Sequence, residues 1–262
     1  MRVEGVPDLI PLRSVAGCHD NFSEIEDCYF DFSVADTPTG WLNETIEASL
    51  AGGLPEATAM RREITVYELD VGRKVMRELA LHGTFWRSFT VSGADAASGE
   101  TVLAQLVVVP TATDLNNASG SAGPVPPKHN VLANNFRFGL GDLPTNRVAS
   151  VTGVGVSRSK LRASSPAAGE PVFVPGPVII SHVTITYALA DAVAFENWTD
   201  QFSQLPPAPP LKDGSLAFLT QDLSSEEFTI SFRGMRPLGK ADPFGTRRSL
   251  TLSAQEFGVA VP

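Results

Sequence analysis

The sequence predicts a mainly β protein made of two related units, each a β-barrel or β-sandwich with one short flanking α-helix. Three observations predict it: apolar runs of strand length separated by turn residues, a polar stretch rich in proline, glycine and serine near the middle, and landmarks that recur in the same order on either side of that stretch. The composition is consistent with this. Of 262 residues, 43% are hydrophobic and 19% charged, enough to bury a core without staples.

The first unit opens its regular structure with a strand at Cys28-Tyr-Phe-Asp-Phe-Ser-Val. Trp41 to Leu50 follows as a helix, because Trp41, Leu42, Ile46 and Leu50 fall at helical spacing, Thr37 or Thr39 can cap its start and Gly52-Gly53 can end it. Three strands come next, Glu63–Leu69, Arg77–His82 and Val102–Val109, the first two joined by a turn at Asp70-Val-Gly-Arg-Lys, with Phe85 to Val91 as a further extended piece. Pro110 to Lys128 replaces apolar residues with small polar ones, glycine and proline, and reads as a linker, since it cannot bury enough surface to offset its chain entropy. The expected boundaries are 1–112 for the first unit, 113–128 for the linker and 129–262 for the second unit.

The second unit starts with a hairpin-like pair, Asn135–Leu140 and Val148–Ser157, in which Phe136, Phe138 and Leu140 alternate with Arg137 and Gly139. It then repeats the earlier plan: a strand over Val178–Leu189, a short helix over Phe195–Phe202, a hairpin of Ser215–Thr220 and Phe228–Arg233, and a closing strand over Ser249–Val259. Asp36, Trp41, Asp70, Gly83 and Val109 of the first unit match Asp191, Trp198, Asp222, Gly234 and Val259 of the second. The first unit has fewer residues before its matching strand, so its opening hairpin is expected to be missing. Trp41 and Trp198 are assigned to packing each helix on its sheet.

The formal charge is −9, and it is uneven: residues 1–115 hold 18 acids and 8 Lys or Arg, against 11 acids and 12 bases in 116–262. An acidic protein repels a nucleic-acid backbone, which argues against tight nucleic-acid binding. No apolar run reaches the roughly 18–20 residues of a membrane span, and the first residues carry no apolar core of signal-peptide type, so residence in a cytoplasm is expected. Four glycosylation tripeptides, at Asn21, Asn43, Asn117 and Asn197, carry no weight without a secretory route. Cys18 and Cys28 are too few for a disulfide scaffold and read first as two reduced, partly buried thiols, their state left open.

Nothing in the sequence assembles into catalytic chemistry. His19, His82, His129 and His182 are scattered without a second ligand at metal spacing. The glycines of Gly139-Leu-Gly141 and Gly153-Val-Gly155 do not lead from a strand into a helix, so they are turns and not a phosphate loop. Paired acids such as Glu24 with Glu26 and Asp27, or Glu226 with Glu227, sit in expected turns. No catalytic residue, cofactor or metal is expected, and the protein is read as no enzyme.

Against this background the chain resembles the tail-tube proteins of long-tailed phages and contractile injection systems, with the type VI secretion tube as a relative. The residues that carry the resemblance are Val183-Thr-Ile-Thr186, Phe195-Glu-Asn-Trp198, Phe232-Arg-Gly-Met-Arg-Pro237 and, in the first unit, Gly93-Ala-Asp-Ala-Ala-Ser98. It covers most of the second unit and residues 28–109 of the first. The resemblance implies a structural protein whose rings stack into a tube by strand-edge pairing: itself in rings, three copies giving pseudo-sixfold symmetry or six copies, as main tube subunit or as tube-end initiator or adaptor. It implies neighbouring tail, sheath or baseplate proteins as partners, DNA or protein passing through the lumen without specific binding, and residence in a virion tail or injection particle. At the position of the family's inter-ring loop stand Arg158, Lys160 and Arg162, expected to meet the acidic first unit of a neighbour. The alternative is a two-domain β-sandwich binding module for carbohydrate or protein, presenting exposed aromatics.

Overall fold

A computed structural model describes residues 1–6, 8–18, 20–21, 24–50, 61–121, 123–124, 130–163, 172–202, 210–244 and 246–261. His19, His129 and Gly52-Gly53 lie outside them. The first half of the chain forms strands β1 (Arg2–Val3), β2 (Leu12–Gly17), β3 (Asp20–Asn21), β4 (Glu24–Ile25) and β5 (Cys28–Ser33), a 3-10 turn (Val34–Asp36) and helix α1 (Thr39–Leu50). It continues with β6 (Arg62–Leu69), β7 (Val75–Val91), β8 (Ala94–Asp95), β9 (Leu103–Val109) and β10 (Ala112–Asn117). The second half forms β11 (Phe136–Leu140), β12 (Val148–Thr152), β13 (Gly155–Ala163), β14 (Val172–Ile180), β15 (Val183–Ala188), a 3-10 turn (Leu189–Asp191) and α2 (Ala192–Gln201). It ends with β16 (Lys212–Leu219), β17 (Glu226–Pro237), β18 (Asp242–Phe244), β19 (Arg247–Ser253) and β20 (Glu256–Ala260).

The described strands build two nine-stranded sheets, with orders β1-β6-β7-β9-β5-β2 and β11-β16-β17-β19-β15-β12-β8, and a two-stranded ribbon of β3 and β4. Neither order closes on itself, so each unit is an open, sandwich-like sheet folded over its core and not a barrel. Matched element by element, the first six strands of the two orders coincide. β10 pairs with β7 as β20 pairs with β17.

A single long strand turns the corner between the layers of each unit. In unit 2, Thr229–Arg233 of β17 pair with β20 and Arg236–Pro237 pair with β19, while β16 follows β17 from Glu226 past the change to Met235. The break falls at Gly234, whose φ of +63° is left-handed, and the register of β16 slips there between Lys212 and Gly214. β7 repeats the device: Gly83 has a φ of +52°, and the register of β6 slips between Arg62 and Ile64. Arg77–His82 and Phe85–Val91, expected as separate pieces, are therefore one strand of 17 residues.

The displaced glycine leaves a backbone N–H without a ladder partner, and an acid on the facing strand accepts it. Glu63 Oε1 takes the Gly83 N–H at 2.8 Å and Asp213 Oδ1 takes the Gly234 N–H at 3.0 Å. Equivalence extends to other close approaches. A Cβ on Gly17 would lie 2.1 Å from the Asp27 carbonyl oxygen, and one on Gly153 would lie 2.2 Å from that of His182. Asp70 corresponds to Thr220 and not to Asp222, because Arg73 and Leu223, both left-handed, donate to Asp70 and Thr220 respectively.

Three expectations are corrected. The opening strands do not pair with each other, since β11 pairs β16 and β12 pairs β15; the alternation of Phe136 and Phe138 reports one buried face and cannot name the partner strand. The first unit does not lack those strands: β1 and β2 hold the same places, β1 shortened to two residues. Part of the expected linker is a strand, because Ala112–Asn117 pairs along β7 with mostly exposed side chains, and its polar sequence reflects an outer edge.

The compact units do not coincide with the halves of the sequence. Unit 1 comprises Met1–Phe89, Ala104–His129 and Ser157–Ile179; unit 2 comprises Thr90–Leu103, Asn130–Val156 and Ile180–Pro262. The hairpin of β13 and β14 thus completes the sheet of unit 1, where β13 pairs β7, and β8 completes that of unit 2. In unit 1, Phe30, Phe32, Leu42, Ile46, Phe85 and Trp86 are buried. The Trp86 indole N–H donates to Thr45 Oγ1 at 2.6 Å and so ties β7 to α1. In unit 2, Tyr187 stacks on Phe195 with centroids 4.1 Å apart and seats α2 on β15, and burial pushes the Tyr187 phenol up to about 12.

Gly153→Ala and Gly234→Ala each lower stability in urea unfolding, by about 1–3 kcal/mol for the left-handed backbone alone. Gly153→Ala is the more severe, because its new methyl meets a fixed backbone oxygen, whereas that of Gly234 meets the movable end of Gln255 at 2.5 Å.

Candidate assembly surfaces

The three basic residues expected to face a neighbour lie on β13, within unit 1. Alternation along the strand sends Arg158 inward beside Val156. Arg158 is 3% exposed, with its guanidinium carbon 3.9 Å from the centroid of the Trp86 ring. Burial pulls its guanidinium down to about 10, so it stays charged at neutral pH. Lys160 Nζ sits 3.4 Å from Asp27 Oδ1 and 4.0 Å from the centroid of the Phe173 ring on β14. Of the three, only Arg162 is exposed. Lys160 thus meets an acid of its own unit, Asp27.

Asp27 is the centre of that meeting. Its side chain is 7% exposed and is shared between Lys160 on β13 and Arg87 on β7, both of which pair with it as ions. Its backbone carbonyl accepts the Cys18 N–H, and the next residue, Cys28, is joined to Cys18 by a disulfide with a Cα–Cα separation of 4.7 Å. The reading of two reduced thiols is thereby corrected. The antiparallel register of β2 on β5 sets Gly17 opposite Cys28 and carries the chain back so that the two cysteines meet.

Arg61, which sequence reasoning passed over, fastens the other arm of the hairpin. Its Nη2 donates to the Phe173 carbonyl at 2.8 Å and its Nη1 to the Gly83 carbonyl at 2.5 Å, which links β14 to the corner of β7. Beside that corner, His82 stands between two carboxylates: Nδ1 is 2.6 Å from Glu63 Oε2 and Nε2 is 3.0 Å from Asp114 Oδ2. Glu63 therefore serves both the imidazole and the Gly83 N–H. The hydrogen bond to Asp114, followed by that to Glu63, raises the pKa of His82.

Trp41 and Trp198 are each 3% exposed. Trp198 meets Phe202 edge-on at 5.7 Å, and Trp41 borders a cleft of about 350 Å³ in unit 1 with Glu4, Thr37, Glu44 and Arg62. Arg62 bridges to Glu44 at 3.0 Å across its rim. In unit 2, Asp191, 4% exposed, receives both Nε and Nη2 of Arg147, which anchors the start of α2 to the start of β12. Among the described residues no group of three or more His, Cys, Asp or Glu is placed to hold a metal ion.

No family model matches the sequence, and no curated protein matches it. Among solved structures, a chain from the sheath-tube complex of the extracellular contractile injection system PVC, in its extended state, aligns with 54% of this chain and 94% of its own at 16% identity, with a TM-score of 0.42. A chain of the anti-feeding prophage cap, described as the tube-terminating cap, aligns with 54% of this chain and 97% of its own at 13% identity, with a TM-score of 0.46.

Two outcomes follow from these contacts. Arg158→Ala removes a desolvated cation from an indole face and loses roughly 2 kcal/mol of stability, with faster amide exchange along β13 and β14 as the local signature. For His82, the folded pKa lies above the unfolded one, so its contribution is full below the ordinary histidine value and is lost as pH rises through the raised folded value. Urea midpoints measured from about pH 6 to pH 8 fall for the native protein, and His82→Gln flattens that dependence.

Proposed function

We propose that this chain is a non-enzymatic, self-assembling component of a phage tail or contractile injection tube. Its mechanism is geometric: paired strand edges build a hollow ring through which DNA or protein passes without specific binding, with sheath or baseplate proteins as neighbours. The carrying observation is that one architecture occurs twice in one chain, with the same strand order, the same corner glycine and an accepting carboxylate, Glu63 or Asp213, at the same place. Duplication of an ancestral ring-forming unit accounts for it, and three copies then supply the six positions of a pseudo-sixfold ring.

A place at the tube end, as initiator or adaptor, is favoured over the repeating shaft because the two units differ at matched positions. Glu68 and Arg77 pair as ions at 3.5 Å where unit 2 carries Phe218 and Phe228, both fully buried. A shaft built of identical rings calls for like surfaces around its circumference. The rival reading, a binding module with an aromatic platform, finds no support in the tryptophans. Trp41, Trp86 and Trp198 are all buried.

Electron microscopy of the purified protein, with mass measurement in solution, tests the proposal. Rings or short stacks of sixfold appearance with a mass of three chains are expected. A monomer at every concentration, with affinity for a carbohydrate array, would sink it.

A further inference from the structure

Because the units share one plan, a place closed by packing in one and by a covalent bond in the other shows what the bond adds. Gly17 of β2 lies opposite Cys28 of β5. In unit 2, Thr152 lies opposite Thr184, which puts the next residue, Gly153, beside Val183. Gly153 approaches the His182 carbonyl as closely as Gly17 approaches that of Asp27. Cys18 and Cys28 therefore stand where unit 2 has Val154 and Val183, which are 2% and 0% exposed. Two packed valines close this place in unit 2, so the plan itself closes without a covalent link.

Unit 1 differs in what Asp27 must hold. Its buried carboxylate pairs with Arg87 of β7 and Lys160 of β13, and among the described residues β13 has no counterpart in the second sheet. The carboxylate keeps its place only if the backbone of residue 27 does, and both cysteines grip that backbone. Cys28 follows it directly and carries the bond. Cys18 donates its N–H to the Asp27 carbonyl at 3.4 Å from a left-handed conformation, with φ +65°, which a residue bearing a Cβ keeps only when its surroundings hold it there. The disulfide is the covalent part of that hold. Once it is opened, Cys18 is free to return to the ordinary region and to take its N–H away from Asp27.

We infer that the Cys18–Cys28 pair is a redox latch on the hairpin of β13 and β14. The disulfide fixes Asp27 and with it the Lys160 anchor; reduction loosens the hairpin while the rest of the protein stays folded. A dithiol is the class of reductant that opens it. Cys28 is fully buried and Cys18 half-buried, so the first thiolate attacks Cys18 Sγ, and Cys28 leaves as a thiolate that takes a proton. The second thiol of the reagent then displaces Cys18, which also ends as a thiol. Two electrons and two protons pass to the protein, and the reagent departs as a cyclic disulfide. The latch works within one chain and is independent of the assembly proposed above.

The test uses the full chain, whose two cysteines are the only targets of a thiol reagent. Hydrogen exchange read by mass spectrometry compares the chain oxidised with glutathione disulfide and reduced with dithiothreitol, and intact mass reports the state of the pair. Reduction is expected to speed exchange across β13 by about tenfold or more and to leave β16 and β17 within about twofold. Cys18→Ser combined with Cys28→Ala is expected to show the reduced pattern with either reagent. In Asp27→Asn, β13 is expected to exchange fast even when oxidised, and reduction to add less than about twofold there. Lys160→Met breaks the same anchor from its other end, and replaces Asp27→Asn if circular dichroism shows the latter unfolded. Exchange in β13 that ignores reduction overturns the latch. An acceleration spread evenly over both units overturns it too, since the bond is then a general staple. The same holds for an undiminished response in Asp27→Asn, which removes Asp27 as the link, and for a chain that glutathione disulfide leaves with two free thiols.

Discussion

The architecture depends on a backbone N–H that has left its ladder. For β7 and β17 to serve both layers of a unit, each must bend sharply, and the bend at Gly83 or Gly234 puts one amide out of reach of the neighbouring strand. Glu63 and Asp213, each at the slip in the facing strand, accept it. Both hydrogen bonds lie at the surface, where water competes for the donor, and an acceptor fixed on the facing strand holds each corner in one geometry. In unit 1 the same carboxylate also holds His82, which in turn reaches Asp114 on β10. One acid thus connects the bend, the facing strand and the outer edge.

The hairpin of β13 and β14 shows a different use of charge. Arg158 is enclosed against an indole, Lys160 shares Asp27 with Arg87, and Arg61 reaches across from the corner to a carbonyl of β14. Fastening of this kind relies on directed contacts with little apolar area: a cation over a ring, two cations on one buried carboxylate and an N–H on a carbonyl. It suits a segment that reaches its sheet from a distant part of the sequence, because each contact fixes register as well as adding stability.

Element types were legible because each rests on local signals. The spacing of Trp41, Leu42 and Ile46 marks a helix, and alternation in Val183-Thr-Ile-Thr marks a strand with one buried face. The recurrence of the corner was legible at Gly83 and Gly234, where a left-handed backbone favours the same residue twice. Pairing partners were not, since a period of two tells which side chains are buried and is silent on which strand lies alongside. The disulfide escaped for the same reason, as it depends on the register of β2 against β5. Arg158 was misplaced although a signal existed: it shares the face of Val156 two residues earlier, and alternation alone puts both inside.

The interleaving of the chain bears on how it is made. Residues Ser157–Ile179 belong to unit 1, and they leave the ribosome well after Met1–Phe89 have done so. Until then β7 lacks β13 and Trp86 lacks the guanidinium that lies over it. Domains ordinarily fold in turn from the N-terminus during translation; here the earlier one is completed by residues made after part of the later one, so a nascent chain keeps a strand edge open until Ser157–Ile179 has been made.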